Sequence, residues 1–108
     1  MSRPESNSWH FLTNHAQVLL CIENNPDARM RDIAETVGVT ERAAQRITND
    51  LFEAGYLTRE RIGRRNRYRI NRKARMRHPA QREHPIGELL GLLSSGGDES
   101  LERHRRRG

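Results

Sequence analysis

The sequence predicts a mostly α-helical domain that carries a small β-hairpin and has an extra segment at each end. Two helical patterns of apolar residues are separated by the short turn 38–40. Two strand-like runs follow Gly55 and are joined by the turn 63–66. Because 108 residues suffice for one compact core, we expect one folded domain.

The chain is basic, with a formal net charge of +6. A positive field concentrates polyanions, so nucleic acid is the simplest partner, although an anionic membrane surface would also attract the protein. No stretch approaches the roughly 18 apolar residues of a membrane-spanning helix, and the N-terminus lacks the apolar run of a secretory signal. We therefore expect a soluble, cytoplasmic protein that does not enter a membrane. Lys73 is the only lysine among 20 basic residues; codon bias in a GC-rich genome would explain the number of arginines but not their clustering.

Changes of composition along the chain predict its organisation. Residues 1–8 and 94–108 are polar and of low complexity, which is typical of disordered tails. We expect residues 9–73 to form the folded domain, residues 74–85 to be a basic connector, and residues 86–93 to form a short helix.

The first helix begins at a cap supplied by Thr13 or Asn14. Cys21 lies within its apolar run, and a lone cysteine excludes both an internal disulfide and a cysteine-based zinc site. We expect Cys21 to be a small buried side chain. A second helix over 31–37 ends at Gly38, because glycine readily adopts the left-handed conformation that stops a helix.

Thr40 is a favourable N-cap for a third helix, which we expect to run to Ala54 with Gly55 as its C-cap. Apolar residues recur along it at intervals of three and four, so one face points inward. The inward residues are Ala44, Ile47 and Leu51, and the outward residues are Arg42, Gln45, Arg46 and Asn49.

The runs 56–62 and 67–70 are short enough to be strands of a hairpin whose turn is 63–66. A two-stranded hairpin is marginal alone, so it must pack on the helices. The second strand places Tyr68 and Ile70 on one face and Arg67 and Arg69 on the other.

This order of elements resembles the winged helix-turn-helix transcriptional regulators, among which bacterial ArsR- and MarR-type regulators are the most similar. The resemblance covers residues 13–71. It is carried by Ile-Ala-x-x-Val-Gly-Val-Thr at 33–40, Ala-Gly-Tyr-Leu at 54–57 and the basic hairpin tip, or wing, at 63–68. It implies a regulator of transcription that binds specific sequences of double-stranded DNA.

The third helix is the expected recognition helix, since a helix fits the major groove and its side chains can read base edges. We expect Arg42, Gln45 and Arg46 to contact bases, because arginine pairs with guanine and glutamine with adenine. A plain solvated helix face is the alternative. The other expected contacts are Ala43 with a thymine methyl group, and Thr40 and Asn49 with phosphate.

The hairpin tip would present guanidinium groups to the DNA backbone or minor groove. The residues of the wing expected to contact DNA are Arg64, Arg65, Asn66 and Arg67. The basic run continues to Arg77 without an intervening acid. Such a run repels itself unless a polyanion neutralises it. The alternative is an exposed charged hairpin followed by a solvated connector.

Apolar residues at the two ends predict a homodimer. Three large apolar side chains follow the polar N-terminus, and the apolar helical stripe in 86–93 is too short to be stable alone. A two-fold dimer would match DNA half-sites about 34 Å apart, and Gly87 and Gly91 would allow close approach. The alternative is that both ends pack on their own domain. The expected dimer residues are Trp9, Phe11, Leu12, Ile86, Leu89, Leu90 and Leu93.

We expect no cofactor, no metal site and no enzymatic activity. Unlike the metal-sensing ArsR-type proteins, the chain has no cysteine pair or tight cluster of histidine and carboxylate residues on the recognition helix. No nucleophile stands at a recognised spacing from a base. An RNA-binding module stays open, although few aromatic residues are available for base stacking. A protein-interaction module with an acidic partner also stays open. The sequence does not reveal a small-molecule effector, and such a ligand could bind only between helices or at a dimer interface.

Overall fold

The computed structural model of the protein describes residues 9–94. Within that range the predicted fold, four helices and a two-stranded hairpin, is confirmed, and no helix there is long and apolar enough to cross a membrane. The predicted tails lie outside the described residues, apart from Ser94, which is buried. The elements are α1 (Asn14–Asn24), α2 (Met30–Val37), α3 (Glu41–Glu53), β1 (Leu57–Ile62), β2 (Arg65–Ile70), a short 3-10 helix (Pro79–Gln81) and α4 (Ile86–Leu93).

Threonine caps set the starts of α1 and α3. The Oγ1 atom of Thr13 accepts a hydrogen bond from the backbone N–H of Ala16 at 3.1 Å, and Thr40 does the same for Ala43 at 3.0 Å. Each bond satisfies one of the free N–H groups at a helix start. Gly38 has φ +89°, so it adopts the predicted left-handed backbone conformation and ends α2. These local signals set where α1 and α3 begin and where α2 ends.

One core joins the four helices and the hairpin: each helix buries part of its surface, while β1 contributes Leu57 and β2 contributes Tyr68. Helix α1 contacts α2, α3, β2 and α4, and β1 contacts α3. The buried apolar residues are Val18, Leu19, Ile22, Ile33, Ala34, Ala44, Ile47, Leu51, Tyr56, Leu57, Tyr68, Ile86 and Leu90.

The hairpin is tighter than predicted. Arg65 pairs with Ile62, so the turn contains only Gly63 and Arg64, and the predicted four-residue turn 63–66 is wrong. Gly63 has φ +62°, the positive value that the first position of a two-residue hairpin turn of type II′ requires. Arg65 is therefore the first residue of β2 and not part of the turn, so the strand geometry determines which face of the hairpin its side chain is on.

Residues 71–85 fold back on the domain and do not form a free connector. The Tyr56 hydroxyl donates to the carbonyl of Arg75 at 2.6 Å, and Arg75 Nη1 donates to the carbonyl of Glu83 at 2.8 Å. Ala74 and Met76 pack against the core. Hydrogen bonds to backbone carbonyls hold the segment despite its charge.

Helix α4 packs on its own domain. Ile86 and Leu90 are 7% and 0% exposed, so the prediction that they form a dimer surface is wrong. The close approach at Gly87 is to the same chain, because a Cβ there would lie 2.8 Å from the Cβ of Arg72. Arg72 also donates to the carbonyl of Gly87 at 3.0 Å and pairs with Glu23 of α1 at 2.6 Å. One arginine of the basic run thus stabilises the fold.

Candidate nucleic-acid interface

Helix α3 presents a polar stripe opposite its buried face. Arg42, Gln45, Arg46 and Asn49 are all exposed, and their spacing of i, i+3, i+4 and i+7 places them on one side of the helix. The stripe is about 10 Å long, from seven residues at about 1.5 Å each, and the B-DNA major groove is about 12 Å wide. The buried side consists of Ala44, Ile47, Thr48 and Leu51.

Thr48 was not predicted to face inward. Its hydroxyl donates to the carbonyl of Ala44 at 2.8 Å, which satisfies the polar group within the helix and allows the side chain to be fully buried. Its position four residues after Ala44 and three before Leu51, on the inward face, was the available sequence signal.

The first turn of α3 combines a cap with a positive helix end. The Thr40 oxygen accepts from Ala43, so the hydroxyl hydrogen is still able to donate to a phosphate oxygen. Ala43 is half-buried, and part of its methyl group is accessible. The partial positive charge of a helix N-terminus favours an anion here.

The wing tip is formed by Gly63 and Arg64, and Arg64 and Asn66 are both exposed. Arg61, which the sequence did not single out, donates from Nε to the carbonyl of Gly63 at 3.2 Å. This bond closes the turn from within the hairpin. Arg64 therefore lies in a turn that this hydrogen bond stabilises.

Arg65 and Arg67 lie against the loop between α1 and α2. The Nη2 atom of Arg65 donates to the backbone carbonyl of Asp27 at 2.6 Å, and Nε of Arg67 lies 3.2 Å from the Asp27 carboxylate. Both arginines were predicted to grip DNA, and the structure gives each of them a partner within the chain. The sequence offered no signal for Asp27, which precedes Arg65 by 38 residues.

A cation–π contact adds to the core packing between the hairpin and the C-terminal part of α3. The Arg59 guanidinium carbon lies 4.2 Å from the centre of the Phe52 ring. A cation over an aromatic face is attracted by the ring quadrupole. Strand β1 is thereby held against the helix that carries the polar stripe.

The terminal segments border a groove of about 1010 Å³ that Phe11, Leu12 and Leu89 help to line. Trp9 and Phe11 stack edge to face with their ring centres 5.0 Å apart, and they are 72% and 91% exposed. Leu93 is 40% exposed on the last turn of α4. Of the predicted dimer residues, these five are accessible at least in part.

The Cys21 thiol and the Tyr56 hydroxyl have pKa values above their usual ones. Burial raises the pKa of the Cys21 thiol, a hydrogen bond from Thr36 lowers it, and the nearby Asp32 carboxylate raises it. Burial also raises the pKa of Tyr56, against a smaller lowering by the positive charge of Arg77. Cys21 is half-buried and stays protonated at neutral pH. Among residues 9–94, no three histidine, cysteine or carboxylate side chains cluster in a way that could hold a metal ion.

Comparison with known proteins shows that the part of the chain carrying the candidate interface matches a protein family. The family model that matches is described as the MarR family, and it matches residues 11–67, more than half of the chain. The matched residues include α1, α2, α3 and β1 and end within β2, so both the polar stripe and the wing tip fall inside the match. No curated protein matches the chain.

Proposed function

The chain belongs to the MarR family, and on that premise we propose that it regulates transcription by binding specific sequences of double-stranded DNA. Membership of this family supports a DNA-binding regulator of transcription. The observation that supports sequence specificity is the stripe of Arg42, Gln45, Arg46 and Asn49, which is exposed while the opposite side of α3 is buried. Helix α3 would enter the major groove, and the wing tip would contact the backbone or minor groove.

The side chains of the stripe suit base recognition. Arg42 and Arg46 carry planar guanidinium groups that pair bidentately with guanine, and Gln45 pairs bidentately with adenine. Each such pair contributes about 1–3 kcal/mol of discrimination against a wrong base. Thr40 and Asn49 at the edges of the stripe would bind phosphate and fix the register of the helix.

The test compares Arg46→Ala with Arg82→Ala, which removes the same charge from an exposed position outside the candidate interface. We expect Arg46→Ala to weaken binding to a preferred duplex by about 5- to 150-fold and to relax the preference at one base pair. Arg82→Ala should change the affinity little. Equal losses for the two variants, on preferred and scrambled duplexes alike, would contradict base recognition by α3.

Competition between duplex DNA and duplex RNA of the same sequence distinguishes DNA binding from the main alternative, an RNA-binding module. An RNA-binding module would retain RNA in the presence of equal DNA, whereas we expect DNA to displace RNA. The affinity for DNA should also fall with salt, with a log-log slope of about −0.9 for each phosphate neutralised.

We also propose that the protein acts as a homodimer, through a surface smaller than the one the sequence predicted. It consists of Trp9, Phe11, Leu12, Leu89 and Leu93, which border or lie near the groove of about 1010 Å³. Large exposed apolar side chains next to a groove favour association, because burying them removes apolar surface from water.

Sedimentation at micromolar concentration tests the dimer. We expect a species of twice the 12.6 kDa chain mass for the wild type, and a shift toward the monomer for Phe11→Ser. Phe11 is 91% exposed, so this substitution should leave the fold intact. A wild type that sediments only at the mass of one chain would rule the dimer out.

A further inference from the structure

Asp27 lies in the loop between α1 and α2 and contacts two arginines of the wing. Its carboxylate Oδ1 is 3.2 Å from Nε of Arg67, and its backbone carbonyl accepts from Nη2 of Arg65 at 2.6 Å. The Asp27 side chain is 66% exposed and that of Arg67 is 38% exposed. The contact therefore lies at the surface, within reach of a large ligand.

The carboxylate and a DNA phosphate would use the same donor. Guanidinium groups bind carboxylate and phosphate with the same geometry, so Nε of Arg67 cannot serve both at full strength. Arg65 differs, because its partner is a backbone carbonyl that no side-chain substitution at position 27 removes.

We propose that Asp27 is an intramolecular competitor of the DNA backbone for Arg67. This inference rests on the DNA-binding function proposed above and names one determinant of affinity within it. The carboxylate holds Arg67 against the α1–α2 loop in the free protein, and a phosphate must displace it. An exposed ion pair is weak, so the competition lowers the affinity for every duplex by up to about fivefold.

The competition acts on affinity and not on base preference. Arg67 lies on the strand after the wing tip, away from the polar stripe of α3 along the chain, and phosphate contacts carry no sequence information directly. Preferred and scrambled duplexes should therefore respond equally. When the sequence-independent contacts are weaker, the base contacts of α3 supply a larger share of the total binding free energy.

The test is a double-mutant cycle measured by fluorescence anisotropy on preferred and scrambled duplexes at about 100 mM salt. Asp27→Asn keeps the shape of the side chain and the carbonyl that binds Arg65 while removing the charge. We expect Asp27→Asn to increase the affinity for both duplexes by up to about fivefold. In an Arg67→Gln background we expect the same substitution to leave the affinity unchanged.

Glu60→Gln is the matched control for charge. It removes one negative charge beside Arg67, because Glu60 is opposite Arg67 in the register of the hairpin, while the Glu60 carboxylate pairs with Arg69 at 3.8 Å. A gain for Glu60→Gln as large as for Asp27→Asn, or a gain that persists with Arg67→Gln, would mean a general charge effect and overturn the competition. Unchanged or weaker binding by Asp27→Asn would overturn it as well. A wild type that binds no duplex would instead refute the proposed function itself.

Discussion

Replacing Leu90 by alanine should strongly destabilise the protein, because α4 is part of the domain core. Leu90 is 0% exposed. The substitution removes three buried carbon atoms at about 0.8 kcal/mol each, so the loss of transfer free energy alone is about 2.4 kcal/mol. The cavity left behind adds to this, and Leu→Ala changes in cores cost about 2–5 kcal/mol in all.

Leu92→Ala is the matched control, since Leu92 lies on the same helix and is 72% exposed. Leucine and alanine are both good helix formers, so this change should alter the free energy of unfolding by less than about 0.5 kcal/mol. The two variants differ only in which side of α4 loses its side chain.

Urea denaturation followed by circular dichroism measures both effects. We expect Leu90→Ala to lower the midpoint without changing the slope, and to lower the melting temperature by at least about 10 °C in a domain of this size. Equal destabilisation by Leu92→Ala would show that α4 is packed by its other side. A Leu92→Ala effect that disappeared on dilution would assign that side to a partner subunit.

Three further outcomes follow from single contacts. Thr40→Ala removes the cap of α3 and should cost about 1 kcal/mol by urea denaturation, and Thr40→Gly less. Arg64→Ala should weaken binding to preferred and scrambled duplexes alike, measured by anisotropy, because the wing tip would contact phosphate. Stability should fall above about pH 10, since burial raises the pKa of Tyr56 above its usual 10.0 and the unfolded chain then loses a proton that the folded one keeps. Tyr56→Phe removes the hydrogen bond to Arg75 and should lower the free energy of unfolding by about 1 kcal/mol at neutral pH. Its melting temperature should depend less on pH above about pH 10 than that of the wild type.

The sequence predicted best what local signals determine. The caps at Thr13 and Thr40 and the left-handed Gly38 lie within three residues of the helix ends they define. The polar stripe of α3 follows from the period of the helix, so its exposure needed no knowledge of the rest of the fold. These features explain why the order of elements and the α3 stripe agree with the prediction.

The sequence could not predict contacts between residues far apart in the chain. The ion pairs of Arg72 with Glu23 and of Arg67 with Asp27 join exposed or partly exposed positions. Charge follows no period there, and the partner depends on how the elements pack. Leu90 and Leu92 illustrate the same limit. The pattern showed that α4 had an apolar side, but not whether its own core or a second subunit covers it.

The central claim is that this protein recognises specific DNA sequences through α3, and selection from random duplexes tests it most directly. The purified full chain is mixed with a pool of random double-stranded DNA, and the bound fraction is sequenced over several rounds. We predict an enriched sequence with two symmetric half-sites about 34 Å apart between centres, the spacing of one helical turn. A bound pool without any enriched sequence would contradict the claim.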